Sequence, residues 1–275
     1  MSENKLYLVA TPIGNLGDMS QRALEVLNSV DFVAAEDTRN TLKLFNKFDI
    51  KKPMVSYYEH NKAQKSSHII SRILDGEDCA LVTDAGMPAI SDPGTDLVAL
   101  CHEHGIDVVS VPGPSAIITA AAISGMDVGR FTFEGFLTGN KPKRREHLEE
   151  VKDERRTMFF YEAPHKLAAT LRDMLDFFGD RKIAIIKELT KIHESVEHTT
   201  LSEAAKKYDG VKLKGEYVLI IEGKKKDETE DETIDGVSLA KKYVEEGMSS
   251  SEAAKRAAKE SGMKKGDIYK ALMED

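Results

Sequence analysis

The sequence predicts an α/β protein: a parallel, doubly wound N-terminal domain, a mixed-sheet C-terminal domain and a small helical module at the end. Three observations predict it. Between residues 5 and 124, short apolar runs alternate five times with a loop and a helical pattern, the rhythm of a parallel sheet with helices on both faces. From residue 131 to 222 strand patterns outnumber helical ones, which implies a mixed sheet. A dense charge run, Lys224 to Asp235, then sets apart three short helical patterns. The expected division is 1–118 and 119–223 for the two α/β domains, 224–236 for an acidic linker and 237–275 for a helix-turn-helix-like bundle.

Lys5 to Ala10 is a buried strand, followed by the Pro/Gly loop Thr11-Pro12-Ile13-Gly14-Asn15-Leu16-Gly17-Asp18. A helix starts near Asp18 or Ser20, with Leu24 and Leu27 facing inward. Phe32 to Ala35 delivers Glu36-Asp37-Thr38-Arg39 to the same sheet edge. Leu44, Phe45 and Phe48 mark a short helix. Met54 to Tyr57 reads as a strand, and Ile69, Ile70, Ile73 and Leu74 as a helix closing at Gly76.

Cys79 to Val82 then ends abruptly in a long ordered loop, T-D-A-G-M-P-A-I-S-D-P-G, before a helix opens near Thr95. Asp107 to Val111 is a strand, and Pro112-Gly113-Pro114-Ser115 turns into the small-residue helix Ala116 to Ser124. Every one of these loops leaves the carboxyl end of a strand, where open α/β sheets bind ligands.

In the second half, strands are expected at Phe131–Leu137, Thr157–Tyr161, Lys182–Lys187, Ser195–Thr200 and Glu216–Glu222. The basic segment Gly139–Arg145 reads as a loop, with Lys141, Lys143, Arg144 and Arg145 as candidate RNA contacts. Glu162-Ala163-Pro164-His165 opens a helix that Gly179 ends, and Leu201 to Tyr208 forms another. Beyond the linker, Leu239–Glu246, Ser251–Ser261 and Asp267–Met273 are the three helices of the bundle.

A net charge of −8 argues against indiscriminate nucleic-acid binding, although it leaves room for local basic patches. No apolar run approaches 18 residues, and Met1-Ser2-Glu3-Asn4-Lys5 leads straight into a strand, so a cytoplasmic protein with no membrane association is expected. Cys79 and Cys101 fit reduced, packed thiols. His102 and His104 do not form a zinc spacing and no metal is expected. Gly14 and Gly17 form neither a dinucleotide fingerprint nor a Walker loop.

T-P-I-G-N-L-G-D (11–18), A-E-D-T-R (35–39), D-A-G-M-P-A-I-S-D-P-G (84–94), P-G-P-S-A (112–116), Y-E-A-P-H (161–165), K-E-L-T-K (187–191) and G-E-Y-V (215–218) occur in this order. Together they closely resemble the tetrapyrrole-methylase superfamily, in its branch that methylates small-subunit ribosomal RNA, over roughly residues 5–223. Met87 stands where that branch more often carries Thr, and Lys187 where it more often carries Arg.

The resemblance implies S-adenosylmethionine as methyl donor and the ribose 2′-hydroxyl of a cytidine in 16S rRNA of the 30S subunit as acceptor. It also implies a homodimer with the cofactor in the cleft between the two α/β halves. Such a cofactor needs carboxylates for its hydroxyl or ammonium groups and backbone polar groups for its adenine. Pro12, Gly14, Asp84, Gly86, Met87, Pro88, Ser115, Ala116, Glu162 and Ala163 are its candidate contacts. A positioned base helps a weakly acidic hydroxyl. Glu36, Asp37 and Glu188 stand as candidates, with Arg39 and Lys187 to hold phosphate or steady a carboxylate. Two rivals stand beside this reading: a methylase of a tetrapyrrole precursor, and a ribosome assembly factor that holds the cofactor without catalysis.

Overall fold

The computed structural model describes residues 4–225 and 235–273, and the chain divides into two compact units, Met1–Lys224 and Lys225–Asp275. The first unit carries two five-stranded sheets. Strands β1 (Lys5–Val9), β2 (Phe32–Ala35), β3 (Met54–Ser56), β4 (Cys79–Val82) and β5 (Asp107–Val111) lie all parallel in the order β3-β2-β4-β1-β5.

Alternation along β4 explains its unbroken apolar run. Cys79 and Leu81 pack on one face with α3 (Lys62–Leu74) and α4 (Thr95–Glu103), through Ile69, Ile73, Leu97 and Cys101. Ala80 and Val82 pack on the other with α1 (Gln21–Ser29) and α2 (Thr38–Lys47), through Leu27 and Phe45. A strand covered on both faces reads as continuous hydrophobicity rather than period two. Both cysteines are buried and free, and burial pushes the Cys101 thiol up to about 11.

β1 and β4 are neighbours, yet β1 leads to α1 on one face and β4 to α4 on the other. Their loops therefore part at the carboxyl edge, the topological switch point at which open sheets form a ligand crevice.

The second sheet contains β6 (Phe131–Phe136), β7 (Thr157–Glu162), β8 (Lys182–Lys187), β9 (Ser195–Thr200) and β10 (Tyr217–Ile221), in the order β6-β7-β10-β8-β9. Only β6 and β7 run parallel; β10 is antiparallel to β7 and β8, and β8 to β9. Helices α7 (Leu167–Phe178) and α8 (Leu201–Lys207) cover one face. Helix α5 (Ala116–Ile123) covers the other, placing Ile117, Ala120 and Ala121 against Phe159, Val218 and Ile220. A boundary between residues 118 and 119 would cut this helix, so by packing the second half begins before Ala116.

The segment expected as a basic loop is instead the first turn of α6 (Lys141–Val151). Asn140 caps it by accepting the Lys143 N–H at 3.1 Å, and Pro142 fits the first turn, where no intrahelical donor is needed. Arg144 turns inward. Its guanidinium donates to Asp173 Oδ2 of α7 at 2.6 and 2.8 Å, and both side chains are under 10% exposed. Arg144 is therefore held in a buried ion pair within the fold. Arg145 is half committed in the same way, to Asp173 and Asp176.

The second unit consists of α9 (Gly236–Glu245), α10 (Ser250–Ser261) and α11 (Lys265–Met273) around its own core of Ala240, Tyr243, Ala253, Ala254, Ala257 and Ile268. Residues 226–234 of the expected acidic linker lie outside the described residues. Among the described residues, no helix is long and apolar enough to cross a membrane.

Candidate active site

Two strand-end loops of the first sheet are stitched together. Thr11 and Gly86 exchange backbone hydrogen bonds of 2.9 and 3.0 Å, and Thr11 Oγ1 donates to the Thr83 carbonyl at 3.0 Å. Gly86 sits at φ +89°, which a side chain resists, and a Cβ there would press on Ile13 Cγ2 at 3.3 Å. Gly94 closes the same loop, with space for a Cβ denied by Ala89 at 2.8 Å and Leu81 at 2.9 Å. The 84–94 loop is thus folded back on itself and held rigid.

Thr83 lies at the centre of a group of carboxylates. Its hydroxyl donates to Glu36 Oε2 at 2.5 Å, and the Asp84 N–H approaches the same oxygen at 3.4 Å. Asp84 in turn accepts from the Asn40 amide at 2.8 Å. Asp92, near the end of the same loop and not among the sequence candidates, joins them. Burial raises its pKa first, and the nearby Glu36 charge raises it further.

These groups form one wall of a cleft of about 420 Å³ between the two halves of the first unit. The first half contributes Ile13, Glu36, the Thr83–Met87 stretch, Asp92 and Ser115, and α5 contributes Ala116. The second half contributes Tyr161 to Pro164, Ile186, Leu189 and Glu216 to Val218. One end is carboxylate-rich and the other apolar, and the volume falls in the ~300–1,000 Å³ range of small-molecule sites. At the N-terminus of α5, Ser115 provides no side-chain cap. The Tyr161 hydroxyl takes the Ile117 N–H there, and burial pushes that phenol up to about 12.

Of the sequence candidates, Asp84, Gly86, Met87, Ser115, Ala116, Glu162, Ala163 and Glu36 line the cleft. Pro12 and Gly14 line a smaller cavity of about 190 Å³ that shares Thr83 and Asp84 with it. Pro88 is buried and lines neither.

Several side chains are committed elsewhere. Glu162 is buried, and its carboxylate accepts from Ala163 N, Thr170 Oγ1 and Lys166 Nζ at 2.8, 2.5 and 2.9 Å. It shapes the turn after β7, with both of its oxygens engaged by neighbouring donors. Asp37 caps α2 by accepting the Arg39 N–H at 2.8 Å and pairs with the Arg39 guanidinium at 2.7 Å. The Arg39 hydrogen bonds hold its carboxyl down at about 2, too acidic for a base at neutral pH, and neither residue lines the cleft.

Lys187 ends β8, opposite Tyr217, and does not line the cleft. Glu188 follows at φ +53° and accepts from Lys191 Nζ at 2.9 Å and Glu216 N at 3.0 Å. Its carboxyl is lowered chiefly by the Lys191 hydrogen bond. Gly215 makes room for that carboxylate, because a Cβ there would lie 2.8 Å from it. The loop then meets the first half: a Cβ on Gly14 would lie 2.7 Å from Thr190 Oγ1. Glu188 is thus tied to Lys191 and Glu216 within the second half, and the neighbouring Thr190 and Lys191 are what meet Gly14. Lys141 and Lys143 remain as exposed cations on α6. Among the described residues, no group of three or more His, Cys, Asp or Glu side chains is placed to hold a metal.

Comparison with known proteins agrees with this architecture. The family model for tetrapyrrole (corrin/porphyrin) methylases matches residues 5–205. A ribosomal RNA small subunit methyltransferase I of Halalkalibacterium halodurans is 46% identical, covering 96% of this chain and 93% of its own. The protein of the same name from Thermotoga maritima is 46% identical over 220 residues, which make up 80% of this chain and 99% of that one. The uroporphyrin-III-C-methyltransferase of Thermus thermophilus shares the fold at a TM-score of 0.57 and 17% identity, covering 80% of this chain and 94% of that one.

Proposed function

The chain belongs to the tetrapyrrole methylases and, within them, to the ribosomal RNA small subunit methyltransferase I family, and from that premise we propose that it methylates the ribose 2′-hydroxyl of a cytidine in 16S rRNA. The donor in this proposal is S-adenosylmethionine and the substrate the 30S subunit. The observation that carries the reading is the cleft itself, with the Glu36–Thr83–Asp84 group at the switch point and the apolar wall of the second half facing it.

The cleft fits such a donor. Asp84 offers a carboxylate for hydroxyl or ammonium groups, and the backbone of Ala85 to Met87, held open by the φ of Gly86, offers amide donors and acceptors. Ala163, Ile186 and Val218 form an apolar surface for an adenine. Met87 in place of Thr removes a hydroxyl contact from this set. When bound, S-adenosylmethionine supplies an electrophilic methyl group on a sulfonium. The chain's own work is alignment, exclusion of water and removal of one proton.

Glu36 is the base in this proposal. It faces the cleft, whereas Asp37 and Glu188 are tied to Arg39 and Lys191. The Thr83 hydroxyl and the Asp84 N–H fix one carboxylate oxygen, which leaves the other to take the ribose proton as the new bond to oxygen forms. Lys141 and Lys143 are the exposed cations of the first unit proposed for phosphate contact. The homodimer is supported by large exposed apolar side chains, Ile118 and Phe136, on α5 and β6.

The test is the product. Small ribosomal subunits incubated with the protein and labelled donor are digested to nucleosides and analysed by mass spectrometry. A methyl group on the sugar of cytidine is expected, and a methyl group on the released base overturns the proposal.

A further inference from the structure

The second compact unit carries none of the cleft. It lies beyond residues 5–205, which the family model spans. The Thermotoga relative is matched over 99% of its length by 80% of this chain, a share close to that of the Met1–Lys224 unit. A protein of the same name thus has no need of an equivalent, so the unit is an addition to the methylating machinery. We propose that it is an RNA-docking module, which grips the phosphate backbone of the substrate RNA through Lys255, Lys259 and Lys264.

The module is built like a small nucleic-acid reader. Helices α10 and α11 are joined by three residues, Gly262-Met263-Lys264, with Gly262 in the left-handed region at φ +72°. This is the turn length and the glycine of a helix-turn-helix unit. Gly236 fixes the third helix: a Cβ there would lie 2.5 Å from Ser261 Oγ and 2.7 Å from Ile268 Cδ1. The core is mostly alanine around Tyr243 and Ile268, so whatever chemistry the module has lies on its surface.

Its helices concentrate cations: between Asp235 and Met273 there are eight Lys or Arg against six Asp or Glu residues, although the whole Lys225–Asp275 unit holds ten against thirteen. Some of these cations have internal work. Arg256 lies over the Tyr243 ring at 4.4 Å and pairs with Glu260, and Lys265 donates to the Ser251 hydroxyl at 3.2 Å.

Lys255, Lys259 and Lys264 are exposed and take part in no ion pair among the described residues. Lys255 and Lys259 stand one turn apart on α10, where like charges weaken the helix, and Lys264 ends the turn before α11. A row of phosphates offsets that repulsion and releases counterions as it binds. That the RNA is ribosomal rests on the function proposed above; the basic module does not.

The experiment uses the full chain with Lys255, Lys259 and Lys264 all changed to Gln, compared with all changed to Arg. Each protein is titrated with protein-free small-subunit rRNA and with intact small subunits at several salt concentrations. The Gln variant is expected to bind both about tenfold more weakly or worse, with a salt slope reduced by about 2, and the Arg variant to restore both. Equal affinity and slope in wild type and Gln variant overturns the module as an RNA contact. So does a loss seen only with intact subunits, which assigns the surface to a ribosomal protein. A loss that the Arg variant shares overturns it too, because a structural defect would then explain the result. A wild-type protein that binds rRNA in this manner but methylates none of it removes the proposed acceptor and leaves the docking intact.

Discussion

Thr83 shows how much chemistry one side chain can organise. It is nearly buried, gives its hydroxyl proton to Glu36 and accepts the Thr11 hydroxyl at its carbonyl. Glu36→Gln keeps the shape and the acceptor but cannot take a proton. Turnover is expected to fall by about two to four orders of magnitude while donor affinity, measured by calorimetry, stays near wild type. Asp84→Ala should do the reverse to affinity, weakening donor binding by about 1.5–3 kcal/mol as a charged acceptor is removed.

Asp92 makes a separate prediction about pH. Its folded pKa is raised by burial, so ionising it costs the folded state more than the unfolded one. Wild-type stability should therefore decline as pH rises from the ordinary carboxylate value through the raised one. Asp92→Asn should remove that decline. The check is the melting temperature of both proteins from pH 3 to 8, in which the difference is expected to be absent at the acid end and to favour the variant at neutral pH. Asp84 was legible because it directly follows a buried strand and precedes Gly86. Asp92 was not, since an Asp before Pro-Gly reads as a turn until the loop is seen folding back to the same wall.

At the scale of elements, the basic stretch at 141–145 was misread for a physical reason. K-P-K-R-R has no apolar periodicity, so nothing marks a buried face. The available signal was Asn140 followed by Pro142, a cap and a first-turn proline. What buries the helix is Leu148 together with a charge, Arg144, whose partner Asp173 lies 29 residues away. Arg144→Ala leaves Asp173 buried beside only the half-exposed Arg145. A loss of about 3–5 kcal/mol in urea unfolding is expected. Donor affinity and RNA affinity should hold in the folded fraction, which separates this residue from Lys141 and Lys143. By contrast, the strands were legible almost to the residue, because a strand such as β4, packed on both faces, shows as an unbroken apolar run that ends in a polar Pro/Gly loop.

For the whole molecule, order along the chain was readable but the seams were not. Helix α5 follows the last strand of the first sheet and yet packs on the second, a choice that depends on which face has room. The seam between the two units also falls later than the charge run suggests. Lys224 still belongs to the first unit: its N–H donates to the Glu154 carbonyl at 2.7 Å and its ammonium pairs with Asp153 at 2.8 Å. Gly223 before it is fully committed, since a Cβ would lie 2.0 Å from the Arg155 carbonyl oxygen. A chain ending at Lys225 keeps these contacts, and one ending at Gly223 loses the backbone hydrogen bond, worth about 0.5–1.5 kcal/mol. The exposed Asp153 pair adds little to that. The chain ending at Lys225 should therefore unfold at a urea concentration equal to that of the first unit in the full chain, and the one ending at Gly223 slightly earlier. Both should bind S-adenosylmethionine with full-length affinity, because every residue lining the cleft lies before Lys224. Both should need more ribosomal substrate to reach the same rate. Calorimetry showing lost donor affinity in the chain ending at Lys225 would place part of the donor site in the second unit and reject this division of labour.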